Sequence, residues 1–226
     1  MGYHIDTGLI YEKFNTECDC PLCEIKQIVE EQFLYEFLND AVMEDNTRIL
    51  VNKTGFCSHH FDLLFSGKNK LSLALQVSTR TDKMLELFNP SLLSPTKKAD
   101  QIDGSVKSCV ICNLIEESMV KYYKTVAQMY YNEPDFYKTL IKTKGFCVHH
   151  FAELLRYSNH AKKYKKEYVN MLCDIQKRSF EGLKNDLNEF CYSHDYRKTK
   201  LPASVAEEAL KNIRIKLYGK KSDEQN

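Results

Sequence analysis

A motif that occurs twice constrains this chain more than any other feature: Cys-x-x-Cys, followed some thirty residues later by Gly-Phe-Cys-x-His-His-Phe, once in each half. Cys20-Pro21-Leu22-Cys23 returns as Cys109-Val110-Ile111-Cys112, 89 residues on, and Gly55 to Phe61 returns as Gly145 to Phe151, 90 residues on. The approach to the second motif repeats too, Arg48 to Thr54 against Lys138 to Lys144. A repeat of this kind implies one supersecondary unit used twice.

Within each unit the apolar spacing is helical. Ile25, Ile28, Val29, Phe33 and Phe37 follow the first Cys-x-x-Cys, and Leu114, Ile115, Met119, Tyr122, Tyr123, Val126 and Met129 the second, so both pairs stand at the start of a long helix. Asp45 and Asp135, with Glu44 and Glu133, mark the opening of a shorter helix. Gly55 and Gly145 fit the left-handed position that ends it, because glycine has no Cβ to clash there. A third helix, from about Phe56 or Phe146, then carries Cys-x-x-His on its first turn. Outside the units, Lys70 to Phe88 reads as a helix despite an alternating Leu71, Leu73, Leu75, Val77. Pro90, Pro95 and Gly104 mark a linker. A long helix over about Ala161 to Phe190 is expected, and Ser204 with Glu207 forms a capping box for a last helix that stops at Gly219 and leaves Lys220 to Asn226 as a frayed tail. The expected architecture is all-α: two tandem helical units, residues 1–88 and 107–226, joined by a linker at 89–106, with extra C-terminal helices.

The chemistry follows from donor type and spacing. Sulfur and imidazole nitrogen are the donors of structural zinc sites, and two short-spaced pairs supply four tetrahedral corners. In Cys-x-x-His, residues three apart share a helical face whereas the intervening histidine points elsewhere, which selects His60 and His150 over His59 and His149. The expected sites are Cys20, Cys23, Cys57 and His60 in the first unit and Cys109, Cys112, Cys147 and His150 in the second, each holding one structural zinc. The expectation closes each site locally; pairing across the repeats is the open alternative. Helix starts favour thiolates through their positive dipole ends, and Lys53, Lys142 and Lys144 stand near enough in sequence to offset a site charge of minus one. With all four positions taken by protein, no place is left for water or substrate, which argues against catalysis. An iron–sulfur cluster is the less favoured occupant. Covalent haem is not expected, since Glu24 and Asn113 stand where Cys-x-x-Cys-His needs histidine.

Nine cysteines in 226 residues, with no basic-then-apolar start among Met1 to Tyr11, point to a reducing compartment and a cytoplasmic protein. Lysine plus arginine (32) balances aspartate plus glutamate (31), so there is no global field to attract nucleic acid or a membrane surface. Lys162, Lys163, Lys165 and Lys166 with Tyr164 and Tyr168 form the one basic run interleaved with aromatics, read as the wet side of an amphipathic helix with its tyrosines inward. Cys18 has no counterpart in the second unit, and Cys173 and Cys191 read as buried small apolar residues.

The succession Cys-Pro-Leu-Cys, Met43 to Arg48, Asn52 to Phe61, Leu71 to Leu75 and then the second Cys-x-x-Cys and Lys144 to Phe151 resembles an uncharacterised bacterial family, common in anaerobic Gram-positive organisms and filed as a domain of unknown function. The resemblance covers about Cys18 to Leu155. It implies that the metal-binding histidine is the one just before the aromatic residue, His60 and His150, and it carries no activity. The expected function is a zinc-stabilised scaffold acting on a protein partner. A thiol redox sensor or redox-regulated chaperone is the first alternative and a nucleic-acid binder the second.

Overall fold

A computed structural model describes residues 5, 7–39, 44–90, 93–193 and 203–220. The fold is all-α, with eleven α-helices and no strand among the described residues: α1 Gly8–Asn15, α2 Pro21–Leu38, α3 Asp45–Thr54, α4 Ser58–Ser66, α5 Lys70–Phe88, α6 Pro95–Ser105, α7 Val110–Asn132, α8 Phe136–Lys142, α9 Val148–Arg156, α10 Lys165–Ser193 and α11 Ala203–Tyr218. A 3₁₀ segment, Ser158–Tyr164, leads into α10. None of these helices is long and apolar enough to cross a membrane.

Contacts group the chain into two compact units that do not follow the sequence halves. One is Ile28–Ser118; the other joins Met1–Gln27 to Met119–Asn226. Both boundaries fall inside helices, α2 and α7, so each long helix begins in one unit and ends in the other. In Ile28–Ser118, α5 packs on α3 and α4 and buries Leu73 and Gln76. Gln76 donates to the Phe37 carbonyl at 2.7 Å, and Phe37 meets Phe56 edge-on at 5.7 Å. In the other unit, α10 packs on α11 and α9, and α1 packs on α8. Phe14 of α1 sits between Phe136 and Phe146, with ring centroids 6.0 and 5.9 Å away. The α10 face toward that core, Tyr168, Leu172, Ile175, Gln176 and Leu183, keeps helical spacing.

Several expectations need correction. The stretch read as a linker contains α6, because Ser94 caps through a bond from the Lys97 amide and Pro95 fills the first helical position, where a missing N–H costs nothing. Gly55, at φ +71°, does end α3, but α8 stops at Lys142 and Gly145, at φ +89°, lies beyond its cap. Asp45 and Asp135 open their helices without a side-chain cap bond; each pairs instead with the cation three residues on, Arg48 or Lys138. The Cys-x-x-His helices begin at Ser58 and Val148, two residues later than expected. Cys173 and Cys191 are exposed, because Cys173 falls outside the buried stripe of Tyr168, Leu172 and Ile175 on α10 and Cys191 lies near the helix end. Of the two tyrosines expected to face inward, Tyr168 is buried and Tyr164 is exposed. Helix α1 had no expectation attached. The side chains of Ser204 and Glu207, and residues 221–226 of the expected tail, lie outside the described residues.

Candidate metal centres

The four helix starts bearing the repeated motifs meet in pairs, and the pairing is crossed. Cys20, Cys23, Cys147 and His150 form one cluster, in the unit built from the chain ends; Cys57, His60, Cys109 and Cys112 form the other, in Ile28–Ser118. In each set the four donor atoms lie within 4.8 Å of one another. The eight candidate residues are thus all gathered, but the expected grouping within each repeat is overturned. Helix lengths are consistent with the crossing. The 18 residues of α2 rise about 27 Å at 1.5 Å each, while the 10 residues of α3 return only about 15 Å. For α7 and α8 the mismatch is greater, 23 residues against 7. A short return helix favours closure on the other pair, and each Cys-x-x-His does meet the Cys-x-x-Cys of the other repeat.

In the first cluster His150 Nδ1 stands 3.4 Å from Cys20 Sγ, 3.4 Å from Cys23 Sγ and 3.2 Å from Cys147 Sγ, and the Cys23 and Cys147 sulfurs are 3.7 Å apart. In the second, His60 Nδ1 stands 3.2 Å from Cys57 Sγ, 3.4 Å from Cys109 Sγ and 3.3 Å from Cys112 Sγ, with Cys57 and Cys112 sulfurs 3.9 Å apart. A tetrahedral ion with metal–sulfur bonds of about 2.3 Å and metal–nitrogen bonds of about 2.0 Å has edges of about 3.8 Å between sulfurs and about 3.5 Å between sulfur and nitrogen. The spacing of the donors therefore fits one such ion in each cluster.

Local structure prepares these positions. Cys57 and Cys147 are the N-cap residues of α4 and α9, and Cys20 and Cys109 directly precede α2 and α7, so two helix starts point their unpaired N–H groups into each cluster. The His150 amide donates to Cys147 Sγ at 3.5 Å, and the amides of Cys57 and Cys112 reach Cys109. The Gly55 carbonyl accepts from the Val110 amide at 2.9 Å, tying the two loops of the second cluster. Pro21, at the matching place in the first repeat, has no amide to offer.

Burial and close approach shift several of these groups against one another. Burial pushes the Cys109 thiol up, but the His60 imidazole and the two amides outweigh it and bring it to about 6, while burial and the neighbouring Cys109 and Cys57 push Cys112 up to about 12. His60 is pulled down by burial, then carried to about 10 by Cys109 and Glu30. In the first cluster, hydrogen bonds from Cys20 and Cys23 hold Cys147 far below the ordinary thiol range, Cys23 is pushed up to about 12 chiefly by Cys147, and burial drives Cys20 well up. A divalent cation held by each set would favour the thiolate form of its cysteines.

The surroundings hold residues that the repeat does not announce. Glu30 of α2, buried, accepts at 3.0 Å from His60 Nε2 and lies 3.5 Å from His59 Nε2, fixing the imidazole that turns Nδ1 to the sulfurs. In the other repeat the corresponding residue is Met119, and His150 Nε2 is buried with no hydrogen-bond partner among the described residues. Lys216 of α11, 1% exposed, donates to the Asp19 carbonyl and, at 2.6 Å, to the Lys144 carbonyl, binding together the two loops that carry the first cluster. Burial lowers its basicity while the charges of Cys20, Asp19, Cys18 and Cys147 oppose that. In Ile28–Ser118, Arg80 of α5 donates to the Asn52 carbonyl of α3 and the Ser105 carbonyl of α6, tying the helices that lead to the second cluster. Gly219, at φ +82°, ends α11 against the first cluster: a Cβ there would stand 3.8 Å from Cys23 Sγ and 3.9 Å from Cys147 Sγ. The following Lys220 amide reaches Cys23, and its ammonium pairs with Glu24 at 3.1 Å.

Of the lysines expected to offset charge, Lys144 pairs with Glu17 at 2.8 Å and the role beside the sulfurs falls to Lys216. Cys18 stays outside the cluster, its thiol directed to the Lys13 carbonyl at 3.8 Å. His149 is exposed and His59 half-buried beside Glu30. The sequence could have flagged Glu30 as the acidic residue on a helix face of Ile25, Val29 and Phe37, where its repeat partner is apolar.

A family of unknown function (DUF6062) matches residues 1–224, and the chain belongs to that family. No curated protein and no solved structure matches it.

Proposed function

We propose that this family member is a zinc-stabilised helical scaffold, with two structural ions per chain, that acts through contacts with a protein partner. The observation that carries this reading is the closeness of two complete donor sets, three sulfurs and one imidazole nitrogen each, all within 4.8 Å. Thiolate and imidazole in a closed four-coordinate set suit zinc, and a filled set leaves no position for a reacting water. Sulfur spacings of 3.7 and 3.9 Å favour a single ion over an iron–sulfur cluster, whose several atoms hold their cysteines farther apart. Each ion ties two helix starts that are distant in the chain, supplying a cross-link that short helices such as α4 and α9, of 9 residues each, need beyond their own packing. The scaffold part of the reading is supported by the apolar side chains that α5 leaves exposed, Leu71, Leu75, Leu85 and Phe88. The nucleic-acid alternative rests on the exposed run from Lys162 to Lys166 alone, two of whose ammonium groups lie over tyrosine rings.

The deciding experiment is metal analysis of protein purified without added metal and without oxygen. Two zinc per chain is the expected result. A brown product with iron and sulfide would replace the reading with a cluster protein, and a folded chain with neither metal would remove it.

A further inference from the structure

The two clusters share donors and spacing but differ in how far solvent reaches the sulfurs. In the first, no ligand residue is more than 6% exposed, and the end of α11 closes over it through Gly219 and Lys220. In the second, Cys109 and His60 are buried, Cys57 is half-buried and Cys112 is exposed. Metal-bound thiolates keep their nucleophilicity, and the rate at which an oxidant consumes them depends on access. We infer that the cluster in Ile28–Ser118 is a peroxide-reactive site at which Cys112 is attacked first, while the other cluster is a permanent clamp. The inference rests on the zinc reading above.

The chemistry balances with hydrogen peroxide as the named oxidant. The Cys112 thiolate attacks one peroxide oxygen; an S–O bond forms, the O–O bond breaks, and the departing hydroxide takes a proton to become water. The sulfenic acid left on Cys112 lies beside Cys57, whose sulfur starts 3.9 Å away. Attack by that thiolate forms the S–S bond and expels a second hydroxide, which also takes a proton. Two thiolates have given up two electrons, and one peroxide with two protons has become two waters. Cys109, in the same cluster, can serve as the resolving sulfur in place of Cys57. Either way the set loses two of its four donors and its ion; a Cys57–Cys112 disulfide keeps the starts of α4 and α7 joined, whereas a Cys109–Cys112 disulfide leaves them without a cross-link.

Glu30 adds a second asymmetry. Its carboxylate accepts from His60 Nε2, so the imidazole left after oxidation remains oriented for metal to return once the disulfide is reduced. The reaction is thus expected to be reversible by a thiol reductant.

The test uses the full chain loaded with zinc, titrated with hydrogen peroxide beside a chromophoric chelator, followed by alkylation of the remaining thiols under denaturing conditions and peptide mapping. The expected result is release of one zinc per chain, with Cys112 in a disulfide to Cys57 or Cys109 while Cys20, Cys23 and Cys147 alkylate as free thiols, and full rebinding after reduction. Parallel release of both ions, or first oxidation among Cys20, Cys23 and Cys147, overturns the inference and leaves the zinc reading standing. A starting protein without two zinc fails the zinc reading itself, and the inference with it. A Cys112→Ser chain is expected to keep one zinc through the same titration; loss of that ion at the wild-type rate would count against the inference as well.

Discussion

The two candidate metal centres share one sequence motif and one donor set but differ in what surrounds them, and on the zinc reading each meets the same problem of charge. Three thiolates and an imidazole around a dication leave a net charge of minus one. In the first cluster that charge is buried, and the buried Lys216 ammonium feels the charges of Cys20 and Cys147 while holding two loop carbonyls. In the second cluster water reaches Cys112 directly, and the polar support goes to the imidazole, through Glu30. Burying a charge demands a partner, whereas exposing it lets solvent do the same work at the cost of protection from reagents. On the inferred division of roles, what is packed around one donor set decides whether it is sealed or open to reagents.

Ligand removal probes the comparison most strongly. Cys147→Ser is expected to lower the zinc content from two to one and to destabilise the unit that contains it by about 4 kcal/mol, since a lost structural metal belongs to the largest class of single-site effects. Cys57→Ser, at a half-buried position, is expected to cost about half as much, and Cys173→Ser, exposed on α10, less than about 0.5 kcal/mol. Denaturant melts of the three variants with parallel metal analysis decide it. Equal midpoints for Cys147→Ser and Cys57→Ser would break the distinction between sealed and open centres.

Lys216→Met comes next. Removing the ammonium leaves the Asp19 and Lys144 carbonyls without their donor in a buried place, for an expected loss of about 2 kcal/mol. Hydrogen exchange should show the loss confined to the unit made of Met1–Gln27 and Met119–Asn226. Faster exchange in Ile28–Ser118 to the same extent would mean that Lys216 acts on the whole chain and not on one loop pair.

Much of this was legible before any coordinates. The helices α2, α5 and α7, the short α3 and α8, and the stop of α11 at Gly219 follow from apolar spacing and glycine position, because a repeated motif lets each half check the other. That eight cysteine and histidine side chains gather in two sets, with His60 and His150 turned to the sulfurs, agrees with the three-residue spacing on a helix. Which donors meet was harder, since short-range pattern is silent on long-range pairing; counting the rise of α2 against α3 was the available clue. Lys216 was hidden because a lysine between Ile215 and Leu217 in an amphipathic helix reads as solvated. Helix α6 was hidden by its own proline and glycine, which are breakers in general but sit here at the first position and in the last turn.

A smaller effect sharpens the role of the imidazole's partner. Glu30→Gln keeps the shape of the side chain but removes the charge that His60 Nε2 points to at 3.0 Å. Zinc affinity of the second cluster is expected to fall about tenfold, with the first cluster unchanged, as measured by competition with a chelator of known affinity. A fall shared by both centres would show that Glu30 stabilises the fold and does not tune one site.

The smallest expected effect falls at Gly219, and it separates two ways in which a glycine can matter. Its φ of +82° lies where a side chain is strained, so Gly219→Ala should cost about 1 kcal/mol from backbone conformation alone. The added Cβ would meet the Cys23 and Cys147 sulfurs at 3.8 and 3.9 Å, ordinary contact distances, so the metal site itself should not be crowded. The variant is expected to melt slightly earlier while binding two zinc and releasing them in the same order as the wild type. If instead the first cluster became the one that peroxide empties first, the end of α11 would be the seal that keeps the two centres different, and a single methyl group would have opened it.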